Sequence, residues 1–273
     1  MKTWAVINQK GGVGKTTTAV SLAGHLCDTD KRLLLVDLDP HGSLTSYLGY
    51  DPDQMETGLY SLFSKPTTNP SEIAKMLLPT PIKNTYLFAA SSALATLDRQ
   101  MGTRMGKGLV VAQAIQAVAS KFHYGIIDCP PMLGILMINA LAACDQLLIP
   151  AQTDYLSLNG LDRMIHTLDM VEKSQHKKTP YLIIPTMYDQ RTKASHDALE
   201  SMRNKYQFQV WGSVIPIDTK FRDASKAGVP LSELAPNSRG SQAYLKLLNF
   251  LIGIHDRSDN DEKSRNQQSA QAN

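Results

Sequence analysis

Eight residues following an apolar run carry the chemistry most open to inference: Lys10, Gly11, Gly12, Val13, Gly14, Lys15, Thr16 and Thr17, directly after Trp4-Ala5-Val6-Ile7. Closely spaced glycines let successive backbone N–H groups turn inward around an anion, and a helix starting at the same point adds its free N–H groups and positive dipole end. Lys15 supplies a point charge for β- and γ-phosphates, and the Thr16 hydroxyl is a natural Mg²⁺ ligand. The general phosphate-loop pattern asks for glycine at position 9, where this chain has Gln9, so the match is to a variant that adds Lys10. A second lysine is not needed for the phosphates of its own subunit and could reach a nucleotide held by a partner subunit.

Two further segments end in acids. Val36-Asp37-Leu38-Asp39-Pro40-His41-Gly42 closes one apolar run and Tyr124-Gly125-Ile126-Ile127-Asp128-Cys129-Pro130-Pro131 another. Alternation along a strand puts Asp37 and Asp39 on one side, with Pro40 and Gly42 stopping it. Asp37 is expected in the metal shell and Asp39, projecting past the strand, is expected to position the attacking water; the plainer alternative makes one of them a helix cap or turn residue. Asp128 is the acid expected behind Mg²⁺ in a phosphate-loop enzyme. His41 reads as a surface-turn histidine, with titration near neutrality the alternative.

These residues need strands that end side by side. The pattern predicts strands at Trp4–Asn8, Leu33–Leu38, Tyr86–Ala90, Gly125–Asp128, Leu147–Pro150, Tyr181–Thr186 and Val210–Ile215, with helices at Thr16–Leu26 and at Leu109–Phe122, where residues 111, 114, 115, 118 and 122 form an apolar stripe. Fully apolar strands alternating with helices predict an α/β fold: a doubly wound, mostly parallel sheet with helices on both faces and ligands at the carboxyl ends of its strands. Ser64–Pro81, rich in proline, reads as a surface excursion, and residues 256–273 as a disordered polar tail behind a single domain at 1–255. At 273 residues, 42% hydrophobic and 19% charged, the chain can bury a large core. A net charge of +3 permits binding to a polyanion without demanding it. Cys27, Cys129 and Cys144 have neither metal-ligand nor redox spacing, and read as small core residues in a reducing cytosol. A core strand so near Met1 argues against a signal peptide, and no apolar run reaches the roughly 18 residues of a membrane span.

Taken together, Lys10–Thr17, Asp37-Leu38-Asp39-Pro40 and Ile126–Pro131 resemble, in order and spacing over residues 1–255, the deviant Walker-type ATPases of the ParA/Soj/MinD group. The resemblance implies an ATP- and Mg²⁺-dependent ATPase that forms a nucleotide-sandwich dimer and hydrolyses slowly. By position it makes Lys10 the lysine that contacts the partner's ATP, Lys15 and Thr16 the phosphate and Mg²⁺ ligands, Asp39 the water activator and Asp128 the Walker B acid. His41 stands where the family has glutamine. Thr186–Arg191, with Met187, is similar to the stretch flanking the adenine, and Pro216 and Asp218 sit where base contacts fall.

The last apolar helix, Ser241–His255, precedes a neutral polar tail rather than a basic amphipathic one, which argues against membrane docking. With no N-terminal helix-turn-helix extension expected, the chain resembles the short Soj-like branch. That branch implies sequence-blind DNA binding by the dimer, segregation of chromosome or plasmid DNA, and a ParB-like or adaptor protein that stimulates hydrolysis. Arg203 and Lys205 on one helix, with Lys220, Arg222 and Lys226 in and after the Thr219–Ser225 loop, form the candidate DNA patch; a solvated charged face is the alternative. The implied location is cytoplasmic, on the nucleoid or at a pole. Asp39–Ser43 and Phe221–Ser225 also resemble ParA-like proteins that position chemosensory arrays. A MinD-like nucleotide-gated binding module, whose turnover matters little, is the reading from another class.

Overall fold

In the computed structural model, which describes residues 1–55, 58–97, 107–175 and 178–254, the alternating pattern becomes one seven-stranded sheet. The expected tail at 256–273 lies outside the described residues. Strand β1 (Lys2–Val6) leads through the glycine-rich loop into helix α1 (Lys15–Leu26) and then β2 (Leu33–Asp37). Short helices α2 (Ser43–Tyr47), α3 (Leu59–Ser64) and α4 (Pro70–Lys75) precede β3 (Leu78–Pro79) and β4 (Thr85–Phe88). Then come α5 (Val110–Val118), β5 (Tyr124–Asp128), α6 (Ile135–Ala143), β6 (Gln146–Gln152), α7 (Tyr155–Gln175) and β7 (Tyr181–Thr186). Helices α8 (Lys193–Tyr206), α9 (Lys220–Ala227), α10 (Leu231–Leu234) and α11 (residues 239–254) complete the described chain.

The sheet order is β3-β4-β2-β5-β1-β6-β7, parallel throughout except for β3 against β4. Residues of one strand alternate between two cores. Trp4, Val6, Leu33, Leu35 and Ile126 pack under α1 and α11, through Leu22, Leu26, Tyr244 and Leu247. Ala5, Leu34, Val36 and Ile127 pack under α5, α6 and α7, through Val111, Ala114, Leu136, Ala140 and Leu161. Residues Leu33–Val36 are all buried, each side chain contributing about 1.5–3 kcal/mol relative to exposure.

Three expectations are corrected. Val210–Ile215 is no strand: it meets β7 through a single bridge at Ile183–Val210 and through isolated hydrogen bonds from the Trp211 and Ile215 amides to the Ile183 and Pro185 carbonyls, with a second bridge beyond β7 at Tyr188–Pro216. Gly212 and Ser213 bend the segment, and Pro185 and Pro216 supply no N–H, so a continuous ladder cannot form. The stretch Ser64–Pro81 is more than a surface excursion, since α4 buries Ile73 in the core and β3 pairs with β4. The loop expected at Thr219–Ser225 is mostly helix α9, whose Phe221 meets Tyr244 edge-on at 5.7 Å.

Candidate nucleotide site

The carboxyl ends of β1, β2 and β5 converge on one cavity of about 510 Å³ lined by Gly11, Gly12, Gly14, Lys15, Thr16, Thr17, Asp39 and His41. Gly12 and Gly14 have φ of +73° and +94°, which L side chains rarely adopt, and a Cβ added at either would meet no atom within 4 Å. The glycines thus keep open a backbone-lined cradle. No side chain caps α1 at Gly14, so its first turn offers N–H groups and a positive dipole end there. The loop is pinned from both sides. Asn8 donates Nδ2 to the Pro150 carbonyl at 2.7 Å and accepts the Lys10 amide at 2.9 Å, while Thr186 Oγ1 donates to the Val13 carbonyl at 3.0 Å.

The two lysines part company. Lys15 is buried and curls over its own loop, Nζ 3.4 Å from the Lys10 carbonyl. Lys10 reaches across to the β6–α7 junction, donating to Ser157 Oγ (2.6 Å), Asp154 Oδ2 (3.1 Å) and Gln152 Oε1 (3.2 Å). Burial alone would raise the Asp154 carboxyl, but hydrogen bonds from Ser157 and Lys10 outweigh it and hold it below the usual carboxylate range. The sequence reading missed Gln152, Asp154 and Ser157. A signal was there: an acid three residues before a serine at a strand–helix junction caps the helix, and Asp154 Oδ1 accepts the Ser157 amide at 2.8 Å.

Parallel pairing sets Asp37 in register with Asp128. Thr16 Oγ1 donates to Asp128 Oδ2 at 2.5 Å, and Asp128 Oδ1 is buried without a hydrogen-bond partner. Burial pushes the Asp128 carboxyl up and Asp37 adds to it, while the Thr16 hydroxyl and Lys15 pull it down. Burial likewise raises Asp37, against the hydrogen bonds it accepts. Those bonds engage both its oxygens: Oδ1 takes the Asp39 amide at 3.1 Å, and Oδ2 takes the amide and hydroxyl of Thr45 at 2.8 and 2.7 Å. Expected in a metal shell, Asp37 in this conformation braces α2 and the Asp39 turn. A hydroxyl beside a buried carboxylate with an unanswered oxygen is a donor set that fits a hydrated, hard divalent cation.

A second cavity of about 690 Å³ continues the first, the two sharing Gly14, Thr17, Met187 and Ser225. Met187, Pro216 and Asp218, from the expected base contacts, line it together with Val13, Thr186, Ile215 and Phe221. Asp218 spends its carboxylate on structure, Oδ1 accepting the Lys220 amide and Oδ2 the Gly240 amide. The candidate DNA residues divide. Lys220, Arg222 and Lys226 share α9, with Arg222 and Lys226 lining this cavity. On α8, Arg203 donates to the Gly212 carbonyl and Lys205 pairs with Asp162 at 2.6 Å.

A glycine cradle opening a helix, beside acids at neighbouring parallel strand ends, defines a phosphate-loop nucleotide-binding protein of the doubly wound type. Residues 1–180 match the family model described as an AAA domain. The sporulation initiation inhibitor protein Soj of Bacillus subtilis is 35% identical over 246 residues, 89% of this chain and 95% of that protein. The chromosome partitioning protein ParA of Myxococcus xanthus is 34% identical over 243 residues, 89% of this chain and 84% of that protein. Among solved structures, cobyrinic acid a,c-diamide synthase from Mycobacterium smegmatis, with a bound ATP analogue and magnesium, is 30% identical with a TM-score of 0.79, covering 92% of this chain and 94% of that one. This chain belongs to the ParA/Soj family of ATPases.

Proposed function

We propose that this chain is an ATP-driven dimerising switch that partitions chromosome or plasmid DNA. The joined cavity carries the reading, with Lys15, the Thr16–Asp128 pair and Asp39 at its phosphate end and Met187 and Pro216 at the other. ATP is bound with its phosphates in the loop Lys10–Thr17 and its base against Met187, Pro216 and Asp218. Mg²⁺, when bound, neutralises charge on the phosphates, held by Thr16 with Asp128 behind it and Asp37 adding negative field. Asp39 positions the attacking water. Hydrolysis is slow because no arginine lines the phosphate end among the described residues, leaving Lys15, Lys10 and the cation to stabilise the developing charge.

Lys10 leaves Asp154 to reach the nucleotide of a second copy, so nucleotide and dimer form together. In the dimer, α9 brings Lys220, Arg222 and Lys226 to DNA phosphates. Contacts of that kind are sequence-blind and weaken with salt. A ParB-like or adaptor protein stimulates hydrolysis and resets the switch in the cytoplasm, on the nucleoid. Among the described residues no helix is long and apolar enough to cross a membrane.

Two measurements test this. In light scattering with ATP and Mg²⁺, Lys10→Ala is expected to bind nucleotide and stay monomeric; a normal ATP-dependent dimer sinks the partner-reaching role. The Asp39→Ala protein is expected to bind random-sequence duplex DNA with ATP but not ADP, the affinity falling steeply across a salt series. Binding with neither nucleotide at low salt would move the cargo from DNA to a protein-marked surface.

A further inference from the structure

The turn carrying Asp39 has a feature that nucleotide binding does not require. Asp39 is fixed at three points: its amide on Asp37 Oδ1 at 3.1 Å, its carbonyl under the Gly42 amide at 2.8 Å, and its Oδ1 under two donors of one residue, the His41 amide at 3.0 Å and the His41 ring Nδ1 at 2.8 Å. An ionised carboxylate only accepts, so Nδ1 carries the proton. Among the described residues Oδ2 accepts no hydrogen bond, on a residue lining the same cavity as Lys15 and Thr16.

We propose that His41 is a positioning residue for hydrolysis: its amide and ring anchor Asp39 Oδ1, and Oδ2 is thereby turned to accept the hydrogen bond of the attacking water. The inference rests on the ATPase reading and on the role given there to Asp39. In the step served, the water oxygen bonds to the γ-phosphorus as the bond to the bridging oxygen breaks, its electron pair leaving on ADP. The water proton passes to Oδ2 and from there to solvent. A carboxylate clamped at one oxygen loses rotational freedom before the reaction, so the residue that clamps it raises turnover through Asp39 rather than through nucleotide affinity. The ring itself is 80% exposed, so packing does not hold it and its loss leaves the fold intact.

The test is steady-state hydrolysis of Mg-ATP by the full chain, with affinity for a fluorescent ATP analogue measured in parallel. His41→Ala is expected to lower kcat by about fivefold or more, with KM and analogue affinity within about twofold of wild type. His41→Asn, whose Nδ2 falls near the position of Nδ1, is expected to recover most of that loss. An unchanged kcat in His41→Ala overturns the proposal, as does an equal loss in both variants or a loss confined to KM. Asp39→Ala separates the levels. If it lowers turnover while His41→Ala does not, the positioning role alone fails; if it leaves turnover unchanged, the assignment of Asp39 fails and the proposal with it.

Discussion

The ends of β2 and β5 make an instructive pair. Asp37 and Asp128 lie side by side in register, and both are fully buried. Both oxygens of Asp37 accept hydrogen bonds from within the chain, from Thr45 and the Asp39 amide, whereas Asp128 has one oxygen on Thr16 and one that nothing answers among the described residues. Identical chemistry and burial therefore do different work. In this conformation the satisfied carboxylate braces α2 and the Asp39 turn. An unanswered one costs the empty protein about 1–3 kcal/mol, and such a cost persists where a ligand offsets it. Unmatched polar atoms, more than acidity or burial, separate the two roles.

The strongest way to break this contrast is turnover. Asp128→Asn is expected to lower Mg²⁺-dependent hydrolysis by about 10²-fold, on the scale of removing one preorganised charge stabiliser. Asp37→Asn is expected to lower it less in protein that remains folded. Equal losses, read as kcat across a Mg²⁺ titration, would erase the distinction. Stability should reverse the ranking. In urea unfolding of nucleotide-free protein, Asp37→Asn is expected to lose about 2 kcal/mol, because an amide N–H₂ then faces the Thr45 N–H. Asp128→Asn is expected to lose nothing near neutral pH.

The smallest effect is the pH dependence of that second variant. Burial and Asp37 raise the Asp128 carboxyl in the folded state above its ordinary value of 3.8, so its contribution to stability is fully present below that value and is lost as pH rises through the higher folded one. Measured without metal, Asp128→Asn should therefore gain on the wild type as pH is raised from 3.8 through neutrality. A constant difference between the two would remove the electrostatic part of the contrast.

How far the sequence discloses this molecule depends on how local each feature is. The phosphate loop and both acid-ended strands are written in consecutive residues, and a two-residue period marks buried strands, so the sheet's central elements and their order of strand and helix were legible. Long-range partners were not. Lys10 is 144 positions from Asp154 and 147 from Ser157, and no spacing rule links them. Thr45 lies only eight residues from Asp37, yet α2, which presents it, has five residues and too little periodicity to be seen. His41 is an exposed turn residue as its sequence position suggests, but residue type and position do not say that its ring turns onto Asp39. The error at Val210–Ile215 has a different root: apolar content marks a buried segment, but proline and a bend decide whether it joins a ladder.

Sheet order also bears on how the protein is made. Among the described residues β1 pairs only with β5 and β6, and Thr16 must wait for an acid 112 positions later. At about 5–20 residues per second of synthesis, that interval is on the order of ten seconds. For that time the nascent chain carries its phosphate loop on an unpaired apolar strand. Synthesis of β5 then governs when the phosphate loop first gains both a neighbouring strand and the acid that Thr16 meets.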